Sequence, residues 1–276
     1  MPSQRTLLVF GGTGQTGRHL TDLALAAGHR VRVLARTPAK AGPTRAGLEV
    51  RQGSVTEELD LDGLLDGVDA VVSLLGDVQA QRTAMVNTAF VRRLVPAMRR
   101  TGVRRFLYQA GALSAPPHAR LTPTLWAIRN TVARSYDGQH RDNEAVMRYL
   151  ADEAMDLEWM VHRAGIGSDG PSKGVLERTE GTPGIGTFGD CAAYDLRLLD
   201  DPTAVHTMSL SAYRKTGRRQ GASRGTAASG AAVRRGRSRS TAALPAPRAA
   251  RSRWPPGPPA GSGRAAATAP DRPGWR

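Results

Sequence analysis

Four glycines, Gly11, Gly12, Gly14 and Gly17, follow directly on the apolar run Leu7-Leu8-Val9-Phe10. A segment with helical character, Gln15 to Ala27, comes next. Strand, glycine turn and helix in that order are chemistry for holding a diphosphate. The turn brings backbone N–H groups to the anion, and the helix adds its positive end, equivalent to roughly half an elementary charge. In this reading Gly11 or Gly12 reverses the chain, and Gly14 lets the phosphate approach the backbone. Gly17 lets the helix pack close to the strand. Thr13, Gln15 and Thr16 complete the turn. Two spacings are met together, Gly11-x-x-Gly14-x-x-Gly17 and Gly12-x-Gly14-x-x-Gly17. The plain alternative is a glycine turn with no ligand.

A second set of residues bears on which dinucleotide such a turn would hold. The second apolar run, Val31 to Ala35, ends at Arg36, and no Asp or Glu occurs between Asp22 and Glu49. Sites for the unphosphorylated nucleotide usually place an acid here for the ribose hydroxyls. A guanidinium instead suits a 2′-phosphate, with Lys40 near enough to assist. The expectation is therefore NADP(H), against the plainer reading of Arg36 as a solvated loop charge. Later strand ends complete the expected contacts. Ser54 and Val55 would lie beside the adenine, and Leu75 and Gly76, after Leu74, above the pyrophosphate and ribose. Ala110 and Gly111 would lie at the end of the fifth strand. Packing alone also produces apolar strand ends.

These residues need a scaffold, and the chain alternates strand and helix as one would. Strands are expected at Thr6–Phe10, Arg30–Ala35, Glu49–Gly53, Ala70–Leu75, Arg105–Gln109 and Glu158–His162. Helices are expected at Gln15–Ala27, Leu61–Leu65, Ala84–Arg100 and Asp142–Ala151. Alternation of this kind predicts an α/β fold, a doubly wound parallel sheet with helices on both faces. Right-handed crossovers give the strand order 3-2-1-4-5-6. The stretch Gly165–Gly189, rich in Gly, Pro, Ser and Thr, reads as loops and short strands over the carboxyl edge of the sheet.

Composition divides the chain in two. The net charge of +15 is carried almost wholly beyond Tyr213, where 15 of the 39 Lys and Arg residues lie against one acid, Asp271. Residues 1–213 are near neutral and form one expected domain. Residues 214–276 are dominated by Arg, Ala, Gly, Pro and Ser and hold a single Leu and a single Val. Such a segment cannot bury enough apolar surface to offset ordering, and a disordered basic tail is expected. Three origins stay open: an arm for nucleic acid or another polyanion, a solvated tail without a partner, or a shifted reading frame in GC-rich DNA. The last draws on 36 arginines against three lysines. One cysteine, Cys191, excludes an internal disulfide and points to a reducing compartment. Without a run of ~18 apolar residues or a leader-like start, a cytoplasmic location without membrane partners is expected.

The sequence GGTGQTG, followed by Leu34-Ala35-Arg36 and Leu74-Leu75-Gly76, resembles the atypical short-chain dehydrogenase/reductases of the NAD(P)H-binding, NmrA-like group. Within it, the resemblance is nearest to the flavin reductase or biliverdin-IXβ reductase branch. Asp69 to Val72, Gly102 to Arg105, Leu157 to Trp159 and Asp200 to Pro202 extend it over roughly residues 5–213. It implies a Rossmann-type fold, NADPH binding and hydride transfer to a conjugated small-molecule acceptor such as a flavin or quinone. The departures bear on mechanism. None of Lys40, Lys173 and Lys215 has a tyrosine four residues before it, so the Tyr-x-x-x-Lys pair of ordinary short-chain dehydrogenases is absent. The nearest imitation is Tyr136-x-x-x-His140, for which a surface loop is the plainer reading. The family's hydroxyl after the fifth strand falls at Gly111, and Ser114 replaces it only if the loop bends back. The family's Arg-Pro after the sixth strand is Arg163-Ala164 here.

Hydride transfer to an electron-poor ring mainly needs two rings stacked about 3–3.5 Å apart, with water supplying the proton. Trp126, Tyr136, Trp159 and Phe188 are candidates to line an acceptor pocket, Trp159 more naturally as core. The six histidines form no metal-ligand pattern, no Gly-x-Ser-x-Gly occurs, and Cys191 reads as a buried small residue. The alternative in another class is a non-catalytic NADP sensor, favoured by the missing tyrosine–lysine pair and by Gly111.

Overall fold

Leu7, Leu8, Val9 and Phe10 are buried on both faces of the first strand, the pattern of a strand at the centre of a parallel sheet. The computed structural model describes residues 4–214; the tail expected from the sequence lies outside the described residues. That first strand, β1 (Thr6–Phe10), leads through the glycine turn into α1 (Gln15–Ala26) and β2 (Arg30–Ala35). Next come β3 (Leu48–Gln52), α2 (Leu61–Leu65), β4 (Ala70–Ser73), α3 (Val86–Thr101) and β5 (Arg105–Gly111). The later half comprises α4 (Pro123–Asn130), α5 (Asp137–Glu153), β6 (Glu158–Ala164), β7 (Ile166–Ser168), β8 (Leu176–Thr179), β9 (Gly186–Thr187), α6 (Phe188–Leu198) and β10 (Met208–Tyr213).

The main sheet has eight strands in the order β3-β2-β1-β4-β5-β6-β10-β8. The expected 3-2-1-4-5-6 order is present within it. Pairing is parallel throughout except for β8, which runs antiparallel to β10 at the edge. Alternate side chains of the central strands feed two cores. Leu8, Phe10, Val71, Phe106 and Val161 face α2, α3 and α5. Leu7, Val9, Val33, Val72 and Met160 face α1 and α6. Each fully buried Leu, Val or Phe contributes about 1.5–3 kcal/mol relative to exposure, so this double-sided burial holds β1 rigid under the turn it carries.

Several expectations are corrected. Residues Tyr136 to His140 are not a surface loop: Tyr136 ends a short 3-10 turn and Asp137 to His140 open α5. That helix starts earlier than expected because its first turn packs on the chain near Gln81, where a Cβ on Gly138 would lie 2.1 Å from the Gln81 carbonyl oxygen. Helix α4 was not anticipated; Thr122 caps it and Pro123 starts it, but it buries only Leu125. Helix α6 begins inside the stretch read as loops and short strands, capped by the Thr187 hydroxyl, which accepts from the Asp190 N–H at 3.1 Å. Strand β4 ends at Ser73, two residues short of Leu75, which releases Leu74 and Leu75 to turn over the sheet edge.

Candidate functional site

Strand order reverses between β1 and β4, so the connections leaving them diverge and open a crevice at the carboxyl edge. A cavity of about 330 Å³ lies there. Its floor is Phe10, Gly11, Thr13 and Gly14; Leu34, Ala35 and Arg36 follow from β2, and Gly53 to Thr56 from β3. The opposite wall is Leu74 to Asp77, with Ala80, Val86 and Asn87.

The floor depends on backbone approach. Gly11 has φ +82°, and a Cβ on it would sit 2.7 Å from the Leu74 carbonyl oxygen. A Cβ on Gly17 would sit 2.1 Å from the Gly11 carbonyl oxygen and 2.7 Å from the Gly12 Cα. Gly17 therefore acts from behind, letting α1 press against the turn. Gly14 is the N-cap residue and offers no side-chain cap, and the first turn of α1 holds no acid. The helix end is thus left for an external anion.

Of the residues expected to hold a dinucleotide, Gly11, Thr13, Gly14, Arg36, Ser54, Val55, Leu75 and Gly76 come together around this cavity. Gln15 is exposed beside it, while Thr16 and Gly17 are buried behind. Ala110 is buried and Gly111 half-buried at the end of β5, outside the cavity lining. The glycine cradle and uncapped helix end fit a dinucleotide, with the Arg36 guanidinium exposed at the mouth.

Two contributors went unread in the sequence. Asp77 lies across the mouth from Arg36, its Oδ2 3.7 Å from Arg36 Nη1; it follows β4, not β2, where the sequence places Arg36. Asn87 is buried on α3, donating to the Leu75 carbonyl at 3.1 Å and to the Tyr108 hydroxyl at 2.9 Å. Tyr108 in turn donates to Asn143 Oδ1 at 2.6 Å, and burial pushes its phenol pKa up. This chain fixes the backbone of Leu75. Its signal was a polar residue in phase with Phe90, Val91 and Leu94 on an otherwise apolar helix face.

The weak catalytic candidates separate. The loop after β5 does bend back, with the Ser114 N–H donating to the Gly111 carbonyl at 3.0 Å. Yet Ser114 is fully buried, its hydroxyl meeting Asn143 Nδ2 at 3.4 Å. Arg163 holds the same turn by donating to the Ser114 and Ala112 carbonyls. Tyr136 is 44% exposed. His140 is buried, and neither ring nitrogen has a partner among the described residues. Desolvation, then the Arg129 charge, lowers its pKa. No hydrogen bond among the described residues joins Ser114, Tyr136 and His140. The expected acceptor aromatics do not gather either: Trp126 is 61% exposed and Trp159 is core. Phe188, half-buried, opens α6. Burial pushes the Cys191 thiol up to about 12, which keeps it protonated and inert.

The model of the NAD(P)H-binding family matches residues 11–202, from the glycine turn to the 3-10 turn before β10. The chain belongs to the NAD(P)H-binding family. Members share a nicotinamide nucleotide as cofactor, and the resemblance to atypical short-chain dehydrogenase/reductases holds. This family member is 35% identical over 113 residues to a 3 beta-hydroxysteroid dehydrogenase/Delta 5→4-isomerase of Mycobacterium tuberculosis, covering 37% of this chain and 30% of that one. It is 32% identical over 117 residues to an isoflavone reductase homolog of Zea mays, covering 38% and 35%. The match thus spans about a third of each curated relative's length. In fold it is similar to an anaerobilin reductase of Escherichia coli O157:H7, with a TM-score of 0.61, 17% identity and coverage of 76% and 98%. Among the described residues, no helix is long and apolar enough to cross a membrane.

Proposed function

We propose that this protein is an NADPH-dependent oxidoreductase that passes hydride to a conjugated, flavin- or quinone-like acceptor. The observation that carries the reading is one cavity floored by a glycine turn and an uncapped helix end, with Arg36 76% exposed at its mouth. The turn would hold the pyrophosphate, Arg36 the 2′-phosphate, and Ser54 and Val55 the adenine side. When bound, the dihydronicotinamide supplies the hydride. The chain's own residues place it: Asn87 fixes Leu75, and Arg163 fixes the turn after β5.

Proton supply limits the substrate class. Ser114 is buried, Tyr136 faces outward, and neither bonds His140. An acceptor that needs a positioned acid, such as an isolated ketone, is poorly served here. One whose reduced form takes its proton from water is well served. The relatives named above are a dehydrogenase and reductases, which favours catalysis over a purely regulatory role. Cytoplasmic work with the cellular nicotinamide pool fits the lone cysteine. The test is NADPH oxidation against a panel of flavins and quinones. Turnover on at least one is expected. Tight NADPH binding with no turnover on any would overturn the reading.

A further inference from the structure

Resting on that cofactor reading, we infer that Asp77 governs nucleotide choice, because its carboxylate competes with a 2′-phosphate for Arg36. Both residues line the one cavity, yet they come from different elements, Arg36 after β2 and Asp77 after β4. Their side chains meet across its mouth, Nη1 to Oδ2, at 3.7 Å.

The two partners are unequally held. Asp77 Oδ1 accepts the Ala80 N–H at 3.0 Å, and the Asp77 N–H donates to Gln81 Oε1 at 3.2 Å. Gln81 is buried and donates its amide to Asp142 at 2.8 Å. One carboxylate oxygen is therefore tied to the Ala80 N–H, the Asp77 backbone is held through Gln81 to Asp142 of α5, and the other oxygen, Oδ2, is presented to the cleft. Arg36 is long, and no hydrogen bond anchors its guanidinium among the described residues. When a ligand arrives, the arginine moves and the aspartate stays.

That asymmetry has a chemical consequence. A phosphate seated on Arg36 must take the guanidinium from Asp77 and then sit close to a fixed like charge, which disfavours it. A nucleotide without that phosphate leaves the ion pair intact, and a ribose hydroxyl can donate to Oδ2, since an ionised carboxylate only accepts. Arg36 thus favours NADP(H) and Asp77 opposes it. The pair brings the two nucleotides closer in affinity than Arg36 alone would. The exposed pair itself contributes little to folding, so its loss is readable in binding.

Calorimetry with NADP⁺ and with NAD⁺ on the full chain tests this, using Asp77→Asn and Asp77→Ser. Both replacements keep an oxygen able to accept from the Ala80 N–H, and neither carries charge. The preference for NADP⁺ over NAD⁺ should rise roughly tenfold in both variants, a change of one decade in relative Kd. If the variants keep the parental ratio, the role of Asp77 falls while the cofactor reading stands. If the parent chain binds neither nucleotide, the cofactor reading falls and takes this inference with it.

Discussion

At the scale of single residues, His140 is the side chain least well provided for. It is buried with both ring nitrogens unpartnered among the described residues, and an unsatisfied buried polar group costs about 1–3 kcal/mol. Replacing it with an apolar residue should therefore stabilise the fold. His140→Leu is expected to raise the unfolding free energy by about 1 kcal/mol, measured by urea titration. The pH dependence has a definite sign. Burial lowers the His140 pKa below 6.5, so the unfolded chain takes up the proton first and stability rises with pH. The contribution is complete above about pH 6.5 and is lost as pH falls through the folded-state value. Thermal unfolding followed from pH 7 down to about pH 5 should show a decline that His140→Leu reduces. An unchanged slope would assign the decline elsewhere. Arg36 makes the complementary case on the surface. Arg36→Ala should weaken NADPH binding by about 10–100-fold, the worth of a charge-assisted bond of 1.5–3 kcal/mol, with NADH hardly affected. Equal losses for both nucleotides would remove Arg36 from the phosphate.

At the scale of elements, the β1–turn–α1 unit is where sequence and structure agree most closely, because the constraint there is local. Gly17 shows why. Its missing Cβ makes room for the Gly11 carbonyl and the Gly12 Cα, both backbone atoms that cannot swing aside. Gly17→Ala should therefore displace the turn, lower stability by about 1–3 kcal/mol and abolish measurable nucleotide binding. A variant that binds normally would show that the turn is not the cradle. Strands β1 and β2 and helix α2 were legible to the residue because apolar runs and their breakers fixed them. Helix α4 was not: it buries one side chain, Leu125, and so writes no apolar stripe into the sequence. Helix α6 was hidden by the glycines and prolines before it, although Cys191, Ala192, Tyr194 and Leu198 carry its buried face. The site divides the same way. The glycine turn and Arg36 belong to one continuous stretch and were readable, whereas Asp77 and Asn87 reach the cleft only through the β4 crossover.

At the scale of the whole molecule, the nucleotide half and the later strands are joined by polar groups sealed inside the sheet. Asp195 of α6 bonds His162 of β6 at 2.6 Å and accepts from Gln109 of β5 at 2.6 Å; His162 also meets Ser211 of β10 at 2.8 Å. The serine, histidine and aspartate imitate a hydrolytic triad, but each is buried, so they act as a clasp. Asp195→Ala would leave His162 Nδ1 and the Gln109 amide without that partner, His162 keeping only Ser211, and should cost about 1–3 kcal/mol, visible in chemical unfolding. Among the described residues the last strand, β10, ends at Tyr213 between β6 and β8, ahead of the basic residues 215–276. Their composition gives them charge but little apolar surface to add to either core. A chain ending at Arg214 should consequently melt at the same temperature and bind NADP⁺ with the same affinity as the full chain. It should also lose the retention on an anionic column at low salt that a charge of +15 confers. Unfolding of that shortened chain would instead place part of the domain beyond Tyr213, and unchanged retention would locate the basic surface in the folded body.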